Sequence, residues 1–159
     1  MNDILNLIEG NARLTASEIA VMLDKETGDV AKMIEKCESD GVILGYRAVV
    51  DWDKTDREYV TAFIEVKITP RRDRGFDALA ERIYKYPEVK SLYLMSGGYD
   101  LACIIEGRTM KEVAYFVAQK LAPMEDVVST ATHFVLRKYK SDGVVFGAVE
   151  EDTRGNDFI

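Results

Sequence analysis

The chain has 159 residues, of which 47% are hydrophobic and 31% are charged, a balance typical of a folded, water-soluble protein with one or two domains. Apolar runs are only a few residues long, so no segment is predicted to span a bilayer. Two cysteines, Cys37 and Cys103, and a single histidine, His133, exclude a disulfide framework and a multi-histidine metal site. We therefore expect a cytoplasmic protein that carries no metal and no cofactor.

The charge of the chain argues against nucleic acid as a partner. The net charge is −7, and residues 1–46 contain four basic and nine acidic residues. Neutralisation of phosphates supplies most of the non-specific affinity for nucleic acid, so an acidic segment attracts it weakly. Any prediction of DNA binding has to rest on other features of the sequence.

Residues 1–46 contain three short helical patterns. The first is an apolar cluster, and the second begins with Thr15 and Glu18, which have the spacing of a capping box. The third runs from residue 27 to residue 40 and ends before Gly41, which suits a left-handed helix end. Three helices in about 40 residues, the last two joined by a tight turn, predict a helix-turn-helix domain.

The periodicity changes along the rest of the chain. The segment that follows the third helix alternates apolar and polar residues, which predicts extended chain, and residues 47–59 are assigned to a linker. Strict alternation over 60–69 predicts a strand that is covered on one side. A helix is predicted at 73–86, followed by a strand at 89–96, a turn at 96–100 and a strand at 101–107. A second helix is predicted from Thr109 to Leu121, with Thr109 and Glu112 as a second capping box. The last strand is predicted at 127–137.

This order of elements predicts an α+β chain whose second domain, residues 60–140, is a ferredoxin-like βαββαβ sandwich. Residues 141–159 are assigned to a C-terminal extension that adds an edge segment and has a frayed end. Two helices can cover one face of such a sheet, so the opposite face is expected to pack on a second copy, with Phe63 as a candidate contact.

The outward side of the third helix holds the candidates for contact with double-stranded DNA. They are Thr27, Asp29, Lys32, Met33 and Lys36. Lys32 and Lys36, one turn apart, can reach a groove or the phosphate backbone. The alternative interpretation is an ordinary solvated face, because direct readout favours Arg, Asn and Gln, and this helix has none of them.

A glycine-containing turn is the candidate site for a small effector. Adjacent glycines let backbone N–H groups approach a carboxylate closely, Asp100 can neutralise an ammonium group, and Tyr99 can wall a pocket. This chemistry suits an amino-acid zwitterion, with hydroxyl groups added from a strand of the same chain or of a neighbouring subunit. The residues assigned to the site are Ser96, Gly97, Gly98, Tyr99, Asp100, Ser129 and Thr132. The alternative interpretation is an ordinary hairpin turn.

Catalysis has no support in the sequence. Neither a GxSxG or Cys–His pattern of a nucleophile nor a Walker or GxGxxG phosphate-binding motif is present. His133 has no evident nucleophile to serve, so it is interpreted as a structural or interface residue. We therefore predict that the protein is not an enzyme.

The three helices, the DGVILGY segment, the SGGYD turn, the Val-x-x-Thr-x-Thr strand and the closing KYKSDGVVF together resemble the Lrp/AsnC family of feast/famine transcription regulators. The resemblance implies an N-terminal winged helix-turn-helix and a C-terminal domain that senses ligands and dimerises. It also implies homodimers that often form tetramers or octamers, with an amino acid between the C-terminal domains. Gly98 departs from the family pattern, in which an acidic residue follows the first glycine of the turn.

Three functions follow from these patterns. The first is a DNA-binding transcriptional regulator whose assembly or DNA affinity is tuned by an amino-acid-like effector. The second is a sensing or assembly protein of the same fold without DNA binding, which the acidity of residues 1–46 motivates. The third is a tetrapyrrole-pathway decarboxylase of the same architecture, for which clustered Arg and His residues in a cleft would be expected.

Overall fold

The computed structural model describes residues 1–69 and 75–147. The chain divides into two compact units, Met1–Val50 and a second unit that begins at Asp51. Within the described residues, no helix is long and apolar enough to cross a membrane. The start of the predicted helix at 73–86 and the predicted frayed end beyond residue 147 lie outside the described residues.

The first unit is a three-helix core, as predicted. Its helices are α1 (Asn2–Gly10), α2 (Ala16–Leu23) and α3 (Thr27–Ser39). They bury a common apolar cluster made of Ile4, Ile8, Ile19, Ala20 and Val30. The capping box of α2 is confirmed: the Glu18 N–H donates to Thr15 Oγ1 at 3.2 Å, and the Thr15 N–H donates to the Glu18 carboxylate at 2.7 Å. These bonds hold the pKa of Glu18 below its usual value.

The chain leaves α3 through a left-handed glycine. Gly41 has φ +69°, and the N–H groups of Val42 and Ile43 both donate to the Cys37 carbonyl, at 2.8 and 3.0 Å. From residue 44 to residue 50 no strand forms, although alternation predicted extended chain. A strand needs a paired neighbour for its N–H and C=O groups, and this unit offers none. The wing of the winged helix-turn-helix is therefore not a paired hairpin of this unit.

The second unit has the ferredoxin-like order βαββαβ, as predicted. Its elements are β1 (Val60–Ile68), α4 (Asp77–Tyr84), β2 (Val89–Leu94), β3 (Leu101–Gly107), α5 (Met110–Phe116), a π-helical turn (Val117–Leu121) and β4 (Val127–Phe134). A short 3-10 turn, Trp52–Lys54, precedes them. The four strands form one antiparallel sheet in the order β2-β3-β1-β4, so β1 is paired on both sides.

The alternation of β1 places one face of the sheet in the core. Ala62, Ile64, Val66 and Ile68 are all buried, and they pack with apolar residues of both helices. The other face of the sheet, here called the open face, carries the residues of opposite parity on each strand. Paired residues of neighbouring antiparallel strands share a face, so the register assigns each side chain to the core or to the open face.

Two local predictions for the helices need correction. The helix predicted at 73–86 begins only at Asp77, because Gly75 has φ +56° and cannot continue a right-handed helix, and it ends at Tyr84. The second capping box is half formed. The Glu112 N–H donates to Thr109 Oγ1 at 3.1 Å, but the Glu112 carboxylate accepts from the Arg108 N–H at 2.8 Å instead of from the N–H of Thr109.

The segment that was predicted to add an edge to the sheet pairs with itself. Residues Lys140–Ser141 (β5) and Val144–Val145 (β6) form a two-stranded hairpin that is separate from the four-stranded sheet. Its two turn residues, Asp142 and Gly143, have φ +48° and +79°, which is the geometry of a tight primed hairpin turn. Such a turn returns the chain to its own preceding strand.

Candidate DNA-binding helix and effector site

A three-residue turn sets the start of α3. Asp24 takes a left-handed conformation, with φ +51°, and the Lys25 N–H donates to the Ala20 carbonyl at 2.9 Å, so the chain reverses direction at once. Glu26 is the N-cap of α3, and its side chain makes no capping hydrogen bond. Thr27, one of the candidates for contact with DNA, is the first residue of the helix.

The outer face of α3 carries exposed charged side chains. Asp29, Lys32, Glu35 and Lys36 are all exposed. In the part of the chain that the structure describes, none of these four side chains forms an ion pair or a hydrogen bond. Two cations and two anions on this helix are therefore exposed to an external ligand.

Met33 does not belong to this outer face. The prediction that it points outward is wrong, because it is partly buried and packs against the three-helix core. Its spacing explains the result: Met33 follows the buried Val30 by three residues and precedes the buried Cys37 by four, which places all three on one side of the helix. The remaining candidates are Thr27, Asp29, Lys32 and Lys36.

A hydrogen bond that the sequence did not reveal holds the chain after α3 against that helix. The Tyr46 hydroxyl donates to the Glu38 carboxylate at 2.7 Å, and this bond raises the pKa of Tyr46. Both side chains border a cleft of about 340 Å³ whose apolar walls include Ile8, Leu14 and Ile34. Glu38 lies on α3 and Tyr46 lies in the irregular chain after it, so no periodicity within one element could have indicated their contact.

The predicted effector turn presents an accessible backbone. Ser96, Gly97 and Gly98 are exposed, and a Cβ atom placed on either glycine would have no other atom within 4 Å. Gly97 has φ +139°, a conformation that other residues rarely adopt. Tyr99 packs edge-to-face on Phe63, with 6.1 Å between the ring centroids. The turn therefore exposes its glycine backbone beside an aromatic ring.

Asp100 joins the turn to the end of β1. Its backbone N–H donates to the Val66 carbonyl at 3.0 Å, and its backbone carbonyl accepts from the Met95 N–H at 2.8 Å. Its side-chain Oδ2 accepts from the Ile68 N–H at 2.8 Å. One carboxylate oxygen of Asp100 thus has a structural partner, and only the other oxygen is left for the ammonium group that the sequence assigned to it.

The two hydroxyl residues assigned to the effector site lie on opposite faces of the sheet. Ser129 pairs with Lys67 on the open face, whereas Thr132 pairs with the buried Ile64 on the core face. The prediction that both contact one ligand therefore fails within a single chain. The alternation of β4 causes this separation, since residues three apart on a strand point in opposite directions.

The open face brings together a cluster that the sequence only partly indicated. Phe63 lies on it as predicted, with its ring centroid 6.2 Å from that of His133. Glu65, which was not predicted, lies 3.4 Å from His133 Nε2. The pairing of β1 with β4 puts these side chains side by side, and that pairing was not available from the sequence.

Two clefts of the second unit do not include the turn. One of about 280 Å³ lies between α4 and β2, lined by residues such as Phe76, Tyr84 and Leu92. Another of about 280 Å³ lies between α5 and the end of β3, next to Glu88 and Lys120. No residue from 96 to 100 lines either cleft. The turn is an exposed surface of the single chain.

The bond between Asp100 and Ile68 predicts a cost in stability that is independent of any ligand. Replacing Asp100 by Ala leaves the buried Ile68 N–H without an acceptor, and we expect a loss of about 1–3 kcal/mol in the free energy of unfolding. Asp100→Asn keeps a carbonyl acceptor and should lose less. Urea unfolding of both variants, with Asp56→Asn at an exposed position as the control, measures this difference. Equal stability of Asp100→Ala and the wild type would contradict the assigned role.

Comparisons with known proteins agree with this architecture. A family model described as Lrp/AsnC ligand binding domain matches residues 61–145, and one described as winged helix-turn-helix DNA-binding matches residues 2–43. The HTH-type transcriptional regulator YugG of Bacillus subtilis is 48% identical over 153 residues, which cover 96% of this chain and 92% of that protein. The proline dehydrogenase transcriptional activator of Rhodobacter capsulatus is 26% identical, over 84% of this chain and 86% of its own length.

A solved structure supports the fold. The crystal structure of a transcriptional regulator from Neisseria meningitidis, a complex with L-Met, matches with a TM-score of 0.71 and 24% identity over 87% of this chain and 89% of that chain. The resemblance seen in the sequence is thereby confirmed by the family models, by close relatives and by the order of helices and strands. The chain belongs to the Lrp/AsnC family of DNA-binding transcriptional regulators.

Proposed function

We propose that this regulator binds DNA through α3 of two or more copies, and that a neutral amino acid bound at the turn of residues 96–100 controls its assembly or its DNA affinity. The observation that carries the proposal is the outer face of α3, where exposed lysines have no partner within the described chain. In a helix-turn-helix, the second helix of the motif enters the major groove, and α3 occupies that position.

The acidity of the first unit is the main physical obstacle to DNA binding. With a net charge of −5 over residues 1–46, a single copy gains little from phosphate neutralisation. Linking two recognition helices in one assembly makes the second contact intramolecular, which raises the overall affinity without any new contact. We therefore propose that assembly is a condition for DNA binding in this protein.

Reversing the charge of Lys32 and Lys36 tests the DNA contact. The double variant Lys32→Glu/Lys36→Glu should bind its upstream DNA about tenfold or more weakly at low salt, and the salt dependence should fall by about one unit of slope per lysine. Fluorescence anisotropy over a salt series measures both effects. Lys111→Glu/Lys140→Glu, with the same change in net charge on the second unit, is the matched control.

Equal binding by the wild type and the α3 variant would mean that α3 is not the contact surface. Binding of no upstream DNA by the wild type would favour the second function, a sensing and assembly protein without DNA binding. The acidity of residues 1–46 is the observation that supports this alternative.

The open face supports assembly through the sheet. It carries Phe63, Tyr93 and Tyr99, with Tyr93 53% exposed, while the two described helices of the second unit pack on the core face. An aromatic surface on a sheet is costly to leave in water, and a two-fold pair is the commonest closed arrangement that covers it. We propose a homodimer through the open face, from which larger assemblies can be built.

Light scattering tests the dimer. The wild type should be at least a dimer at micromolar concentration, whereas Phe63→Asp should shift the population to monomers because it places a charge within the interface. Met110→Asp removes an exposed apolar side chain from a helix and should leave the assembly unchanged. A wild-type monomer at that concentration would overturn the proposed interface.

The effector proposal rests on the chemistry of the turn. The matching family model is that of a ligand-binding domain, and a structural relative was solved with L-Met. Backbone N–H groups of Gly97 and Gly98 would bind the carboxylate, and Oδ1 of Asp100 would accept from the ammonium group. Ser129 of a second copy would supply a hydroxyl partner, because it lies on the open face, whereas Thr132 lies on the core face of every copy.

Gly98 should make the site prefer neutral amino acids to lysine and arginine. Without an acid at this position, a cationic side chain lacks one charged contact, which is worth about a factor of ten to a hundred in affinity. A thermal-shift screen of the twenty amino acids measures the preference, since a ligand that binds only the folded state raises the melting temperature. A shift for lysine alone would contradict the charge argument.

Asp100→Asn separates the structural role of Asp100 from its role in binding. The variant keeps an acceptor for the Ile68 N–H but loses the negative charge, so it should remain folded while its response to amino acids weakens. Asp56→Asn should respond as the wild type does. If no amino acid shifts either the wild type or the variants, the turn has only a structural role.

We propose further that the protein regulates and does not catalyse. Its relatives are named transcriptional regulators. Burial raises the pKa of the Cys103 thiol to about 12, so it carries no thiolate at neutral pH. The histidine does not support a tetrapyrrole decarboxylase, since His133, the single histidine of the sequence, lies beside Glu65 on the open face. We also propose a cytoplasmic location, where such a regulator meets its DNA.

A further inference from the structure

The first turns of α3 hold an acid and a base that are three residues apart. Asp29 and Lys32 are both exposed, and neither side chain is engaged by another residue of the described chain. Residues at this spacing are neighbours on a helix surface, with about 5–6 Å between their Cβ atoms. The two side chains can therefore reach adjacent atoms of one external partner.

Asp29 lies in the first turn of α3, where its charge stabilises the helix N-terminus but opposes the approach of a phosphate backbone. A carboxylate near phosphates is repelled, so Asp29 weakens binding unless it meets a hydrogen-bond donor on a base. In the major groove, such donors are the N4 amino group of cytosine and the N6 amino group of adenine. Lysine complements this by donating to O6 and N7 of guanine.

We propose that Asp29 and Lys32 together read one G·C base pair in each half-site, an inference that rests on the proposed DNA binding by α3. The Lys32 ammonium donates to guanine O6 or N7, and the Asp29 carboxylate accepts from cytosine N4. These atoms lie next to one another across the major-groove edge of a single G·C pair. The charges of the two side chains offset each other, so the pair contributes selectivity more than general affinity.

The positions of the neighbouring residues favour this pair over other combinations on α3. Base edges are contacted by the N-terminal residues of a recognition helix, where Asp29 and Lys32 lie, whereas Lys36 is one turn further along. Glu35 borders the cleft beside Ile34 and is thus turned to one side of the helix. Gly28 precedes Asp29 and has no side chain, which lets the first turn approach the bases closely.

Selection from a duplex library with randomised positions, using the full-length protein, tests the proposal. The wild type should select a half-site with one position at which G·C is preferred over A·T by about 5- to 150-fold. Asp29→Ala should bind duplexes that lack the G·C pair more tightly, because a repelling charge is gone, but it loses the contact with cytosine, so its preference at that position should fall. Asp29→Asn should shift the preference towards A·T, since asparagine pairs with adenine.

Glu35→Ala is the matched control, because it removes the same charge from the same helix. It should raise the affinity for all duplexes equally and leave the G·C preference unchanged. If Asp29→Ala behaves as Glu35→Ala does, or if no G·C position is selected, Asp29 is only a solvated acid and the inference is overturned. Melting temperatures identify any variant that fails to fold. If Asp29→Ala fails to fold, the base preference of Asp29→Asn, which keeps the shape of the side chain, tests the readout instead.

The outcomes separate this inference from the proposed function. Loss of binding in Lys32→Glu/Lys36→Glu together with an unaltered base preference in Asp29→Ala and Asp29→Asn would leave DNA binding by α3 in place and refute only the readout. Failure of the wild type to bind any duplex of the library would overturn both.

Discussion

The pairing of β1 on both sides is the constraint on which the second unit depends. β1 lies between β3 and β4, so its register with each of them assigns every side chain of three strands to the core or to the open face. A strand alternates strictly, and one face of this sheet is filled by the two helices. The open face must either contact solvent or pack against a second copy of the chain. This alternative links the fold of the second unit to assembly.

The same register explains why the turn at residues 96–100 is tied to the sheet. Asp100 bonds to two consecutive sites on β1, the Val66 carbonyl and the Ile68 N–H. Because Tyr99 also packs on Phe63, the turn and the open face are in direct contact. A ligand at the turn would therefore act close to the surface through which we propose that two copies meet, and this proximity offers a physical route from binding to assembly.

The first unit is constrained by its charge, since it is acidic and must bind DNA, which is a polyanion. Its core uses one side of α3, including Met33, and leaves a mixed set of charges on the other. Mixed charges lower the general affinity for DNA, and they raise the relative weight of contacts with particular bases. Weak general binding and dependence on assembly are consistent with each other, because two linked helices can make up for a weak single contact.

The sequence by itself determined whatever depends on residues close together along the chain. The capping box at Thr15 and Glu18, the alternation of β1 and the order βαββαβ all follow from local spacing, and each is present in the structure. Tertiary structure decided the burial of Met33 and the separation of Ser129 from Thr132. It also decided the bond from Asp100 to Ile68, whose partners are 32 residues apart. Periodicity determines which residues share one face of a helix or strand. Only packing and strand register determine which other residues that face contacts.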